Sequence, residues 1–111
     1  MAIKIDYNHE DGTLNEWESN TDATEITCAA GAALAGTNYG VQVVIDDTTG
    51  AYLYRSGVGG AAGHFRARFY IDPNGLTMAN NDNFTIFYAR DATPDTFLSV
   101  KLGYTTNMLI N

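Results

Sequence analysis

The segment His64–Pro73, HFRARFYIDP, decides how the chain is read. Phe65, Ala67, Phe69 and Ile71 alternate with His64, Arg66, Arg68 and Tyr70, the period of two that marks a strand with one covered and one open face. It reads as a central strand. Asp72-Pro73-Asn74-Gly75 ends it, with Pro73 presetting φ at the second turn position and Gly75 tolerating whatever the exit requires.

Outward on the N-terminal side, Ser56–Gly63 carries four glycines in eight residues and reads as a flexible loop. Before it, Tyr39–Ile45 and Ala51–Arg55 are extended runs separated by Asp46-Asp47-Thr48-Thr49-Gly50, which predicts a hairpin over 39–55. Glu25–Cys28 reads as a short strand. Ala29–Gly36 reads as a loop or irregular strand, because its two glycines weaken the helix its alanines favour. Ile3–Tyr7 alternates as a first strand, and Trp17 is expected to lie over one end of the core with its indole N–H satisfied. On the C-terminal side, Phe84–Arg90 is apolar at both parities, as in a strand covered on both faces. Asp91–Asp95 turns, Phe97–Tyr104 alternates with Leu98, Val100, Leu102 and Tyr104 inward, Thr105–Asn107 turns again, and Met108–Ile110 is a last strand. Many short strands between turn signals, and no helical period, predict one all-β domain over 1–111: an antiparallel sandwich or barrel. Its core is expected from Val41, Val43, Ile45, Phe65, Phe69, Ile71, Ile86, Leu98, Val100 and Leu102.

Composition bounds the function. Hydrophobic residues make up 45% of the 111, enough to offset the ordering entropy of one domain. Residues 1–50 carry nine acids against Lys4 alone, or −8, and residues 51–111 carry four acids against five bases, or +1, for a total of −7. This balance argues against nucleic acid and anionic lipid as partners. A single cysteine, Cys28, forbids an intrachain disulfide and reads as a small buried hydrophobe, and two histidines are too few for a thiolate-rich zinc site. The start MAIKIDYNHEDG has no apolar signal core, and no run reaches membrane-spanning length, so export is expected to need a signal removed beforehand or another route.

Asp11–Trp17, the 39–54 hairpin, Phe65–Ile71 and Phe84–Phe87, taken in this order, resemble the first part of a concanavalin A-like, laminin-G-like jelly roll. The resemblance implies a jelly-roll β-sandwich, reduced or incomplete at this length. It also brings in the paired strand carboxylates of that superfamily's glycoside hydrolases. Glu16-Trp17-Glu18 is the one Glu-x-Glu and lacks the flanking alternation of a buried strand, so no enzyme is expected. Structural Ca²⁺ is the expected ion, with hard oxygens from Glu10, Asp46, Asp47 and Asn80–Asn83 also in reach of loops. By resemblance to calcium-stabilised jelly rolls, Asp6 and Asp11 are its first choices.

Carbohydrate recognition needs rings beside polar groups, which nominates Trp17, Tyr52, Tyr54, Arg66, Arg68 and Tyr70, with Tyr88 as a further ring. Asn83-Phe84-Thr85 fits a glycosylation sequon. The terminal strand Met108–Ile110, without proline or lysines to blunt it, would leave an edge that invites pairing with another copy. The sequence thus points to a non-enzymatic extracellular or particle-surface recognition module binding carbohydrate, or else to a self-assembling subunit of a filament, shell or virion, in either case with homo-oligomers expected.

Overall fold

A computed structural model of the chain describes residues 5–58, 66–90, 96–105 and 108–110. It is all-β. Among the described residues there are seven strands and a single 3-10 turn, Ala30–Ala32. The strands form sheets of two, two and three members, all antiparallel. The chain divides into two compact units, Met1–Asp72 and Pro73–Asn111.

In the first unit, β1 (Ser19–Asn20) pairs with β4 (Leu53–Tyr54), and β2 (Ile26–Ala29) pairs with β3 (Gly40–Val43). The expected hairpin over 39–55 therefore does not close on itself: both runs are extended where expected, but each finds an earlier partner. Side chains explain the choice. The Thr21 hydroxyl donates to the Tyr52 carbonyl and accepts from the Tyr52 N–H, prolonging the β1–β4 pairing, while Glu18 Oε2 accepts from the N–H and hydroxyl of Ser56. Asn20 Nδ2 donates to the Ile26 carbonyl, tying the end of β1 to the start of β2. Between them, Asp22 Oδ1 accepts from Thr24 N–H and hydroxyl and from Glu25 N–H, which reverses the chain into β2. Gly40 opens β3 beneath the Ala30–Ala32 turn, where any Cβ would run into the Ala32 carbonyl oxygen.

The segment taken as the central strand is not a strand over its described residues, 66–73; His64 and Phe65 lie outside them. Arg66–Ile71 is exposed throughout. Alternation alone does not place a segment in a sheet, since strand pairing is set by backbone hydrogen bonds. Its turn forms one residue later than expected: Leu76 N–H donates to the Pro73 carbonyl, with Asn74 and Gly75 at the centre, both at positive φ as in a type I′ turn. The described part of the first expected strand, Ile5–Tyr7, is likewise not in a sheet, and Ile3 and Lys4 lie outside the description, as do residues 59–63 of the glycine loop and the turns at 91–95 and 106–107.

The second unit holds the longest pairing: β5 (Asn83–Arg90), β6 (Thr96–Tyr104) and β7 (Met108–Ile110) in the order β5–β6–β7. These match the strands read from the sequence. The apolar character of β5 at both parities has a different cause from the one expected. The register is Phe84↔Leu102 and Thr85↔Lys101, then Phe87↔Val100, Tyr88↔Ser99 and Ala89↔Leu98, so Ile86 is an extra residue. That bulge flips the alternation. Phe84, Phe87 and Ala89 share a face with Leu102, Val100 and Leu98, and a second irregularity leaves Arg90 opposite Thr96 on the other face.

Buried apolar side chains are few. Among the described residues the buried apolar side chains are Ile26 (3% exposed) in the first unit and Leu102 (1%) in the second, the latter on the central strand with Phe84 and Ile110 as its register partners. Of the core expected from sequence, Val41, Ile86 and Val100 are half-buried, and Phe65 lies outside the description. Val43, Ile45, Phe69, Ile71 and Leu98 are exposed. For Val43 the reason is that a two-stranded ribbon has too little area to cover a face of each strand, while Ile45, Phe69 and Ile71 lie outside the strands altogether. Replacing Gly40 with alanine should cost about 1–3 kcal/mol, as overpacking against fixed backbone does, read as a lowered denaturation midpoint; Gly31→Ala, with open space at its Cβ, is the control.

Candidate functional site

The acidic N-terminal half builds turns with its carboxylates. Glu10 accepts from the Asn38 N–H and side-chain amide and from the Tyr39 N–H, and these bonds hold its carboxyl below the usual range. Asp11 accepts from the Thr13 N–H and hydroxyl, with the same consequence. Asp11, a first choice for calcium, thus spends both oxygens on its own turn; Asp6 is exposed. The carboxylates that approach one another are Glu25, Asp46 and Asp47, each offering an oxygen within 4.8 Å of the others. They are hard donors of the kind Ca²⁺ takes. Acidic turns of this composition also occur without an ion, so the group alone assigns no metal.

Glu25 is the buried member, 9% exposed. Burial raises its carboxyl above the ordinary value, and the negative charges of Asp47, Asp22 and Asp46 raise it further. Ionised Glu25 is therefore tolerated at a cost, the reverse of Glu10, Asp11, Glu18 and Asp22, whose carboxyls are all lowered by hydrogen bonds.

Trp17 sits in an aromatic cluster. Its Nε1–H donates to His9 Nε2 at 3.0 Å, its ring lies nearly coplanar with the imidazole at 12° with centroids 6.4 Å apart, as an in-plane N–H···N bond requires, and Tyr7 meets it edge-on at 5.0 Å between centroids. The satisfied indole N–H agrees with the sequence reading. Trp17 is half-buried and its polar atom is occupied within the chain. The cluster's floor includes Cys28, whose thiol donates to the His9 carbonyl at 3.7 Å. Burial, then the charges of Asp11, Glu10 and Glu16, push this thiol up and away from the reactive thiolate. Of the Glu16–Glu18 pair, Glu18 binds Ser56, and Glu16 Oε2 is buried with no hydrogen-bond partner.

The other nominated binding residues lie on two separate stretches of the chain. Tyr52 and Tyr54 are both exposed and stand two residues apart on and beside β4, hence on one side of it. Arg66, Arg68 and Tyr70 are exposed, Tyr70 at 65%, on a segment that is not a strand. A depression that sequence reasoning missed lies on β5–β6, lined by Thr85, Tyr88, Arg90, Thr96, Ser99 and Lys101. Only Tyr88 was singled out in advance, because the bulge that aligns it with its neighbours leaves no mark in hydrophobic periodicity. No protein-family model, curated protein or solved structure matches the chain.

Glu25 yields a pH prediction of definite sign. A carboxyl raised by folding leaves the protein most stable below its unfolded value, and that stability is lost as pH rises through the folded value. Glu25→Gln should therefore raise the midpoint of thermal unfolding at neutral pH, with the gap over the parent chain closing on acidification. An unchanged or lowered midpoint at neutral pH would show that the ionised carboxylate is stabilised where it lies.

Proposed function

We propose that the chain is a non-enzymatic, self-assembling structural subunit that completes its sheets with strands from neighbouring copies. The observation that carries this reading is the run Val43-Val44-Ile45, all exposed, at the end of a ribbon only two strands wide. Three consecutive exposed apolar residues are poorly placed on a surface that meets only water. A two-stranded ribbon is marginal by itself and presents two edges of unpaired N–H and C=O groups. Antiparallel addition of the same strand from a second copy satisfies both needs and repeats with symmetry. The terminal strand β7 pairs with β6 along one edge and offers a further edge of this kind.

In this reading the concanavalin A-like arrangement is reached in the assembly, each copy contributing part of a larger sandwich, at an extracellular or particle surface. A second reading, carbohydrate recognition, is favoured by Tyr52 and Tyr54, whose rings are open on one side of β4. The aliphatic run weighs toward assembly, because sugars stack on rings whereas β-branched aliphatics pack on other proteins.

Sedimentation velocity across a concentration series tests the proposal. The parent chain should sediment faster as concentration rises, and the double substitution Val43→Thr with Ile45→Thr, which keeps strand propensity but removes apolar surface, should move the onset to at least about tenfold higher concentration. A parent chain that remains a monomer at every concentration would overturn the reading.

A further inference from the structure

We propose that the β5–β6 face binds an oligosaccharide bearing carboxylate or sulfate groups. This inference shares only its ligand class with the second reading above, since it uses none of the same residues.

The residues 73–111 contain two basic side chains, Arg90 and Lys101, and both line the same depression. They arrive there by the register: Thr85 pairs with Lys101, Tyr88 with Ser99 and Arg90 with Thr96, so these six side chains alternate onto one face while Phe84, Phe87 and Ala89 take the other. The bulge at Ile86 is what brings them together. Had Ile86 paired in regular alternation, Tyr88 and Arg90 would fall on the apolar side with Phe84.

The chemistry of the lining is specific. Among the described residues it has two cations, four hydroxyls and no carboxylate. The Arg90 guanidinium lies 4.6 Å from the centroid of the Tyr88 ring, a cation–π contact that restrains the side chain before any ligand arrives. A restrained guanidinium keeps its planar fork for a carboxylate or sulfate and loses less freedom on binding. Thr85, Thr96 and Ser99 each offer a donor and two acceptors, which suits the hydroxyls of a sugar ring. The volume, about 350 Å³, lies at the lower end of small-ligand sites. It exceeds what a bare inorganic anion needs. The depression is partly open to solvent, so one side of a ligand seated there stays free to continue outward.

The test is isothermal titration of the full chain with four probes: a galacturonic acid tetrasaccharide, a sulfated tetrasaccharide, maltotetraose as the neutral sugar, and sodium sulfate. At least one acidic tetrasaccharide should bind, more tightly than either maltotetraose or sulfate, and the two acidic probes show which anionic group is preferred. Arg90→Gln and Lys101→Gln should each weaken that binding by about tenfold or more, the loss expected for a charge-assisted hydrogen bond. Tyr52→Ala, a substitution that would abolish binding at the β4 tyrosines, should leave it unchanged. Both cations are side chains of paired strand residues, and circular dichroism of each variant confirms that the sheet is intact. Failure of both acidic tetrasaccharides to bind, binding no tighter than that of sulfate or maltotetraose, or undiminished binding by the folded Arg90→Gln/Lys101→Gln variant would each overturn the proposal.

Discussion

The backbone of a strand must find a partner for every N–H and C=O, and this chain meets that demand only in small pieces. Two of its three sheets are ribbons of two strands, held by local devices: the Thr21 hydroxyl on Tyr52, Asn20 on Ile26, Asp22 on the turn into β2. These bonds fix register well. They bury little, and Ile26 is the one buried apolar side chain among the described residues of the first unit. What the ribbons leave open, at their edges and along Val43-Val44-Ile45, is the physical basis for reading the chain as a part of something larger.

The second unit solves the same problem differently. Three strands give β6 a neighbour on each side, and Leu102 is buried there as a consequence. The bulge at Ile86 then sorts the hairpin into an apolar face and a face of cations and hydroxyls. One inserted residue thus settles both packing and surface chemistry. A sheet that is sorted in this way can join an assembly through one face and present the other to a ligand.

The positions of β5 and β6 were legible because they are long and rich in β-branched and aromatic residues, and that of β7 because a short apolar run follows a turn signal. The short strand near Glu25–Cys28 and the extended run at Tyr39–Ile45 were legible for the same reason. Pairing was not. Which strand takes β4 depends on the Thr21 and Glu18 side chains, and polar bonds of that kind carry no period. His64–Pro73 has the cleanest alternation in the chain, yet residues 66–73 form no strand, since alternation states which face could be covered and not whether anything covers it. The candidate residues divide the same way: Tyr52, Tyr54 and Tyr70 are nominated from side-chain type alone, whereas the shared face of Arg90 and Lys101 is visible only in the register, and the burial of Glu25 only in the structure.

Backbone amide hydrogen exchange, compared between a dilute and a concentrated solution of the same chain, tests the central claim most directly. Open edges that are completed by other copies should exchange freely when dilute and become protected when concentrated, with the change falling on edge strands, β2 and β3 foremost, and with β6 protected throughout. Equal protection of β2 and β3 at both concentrations would mean that each chain satisfies its own edges, and would contradict the account.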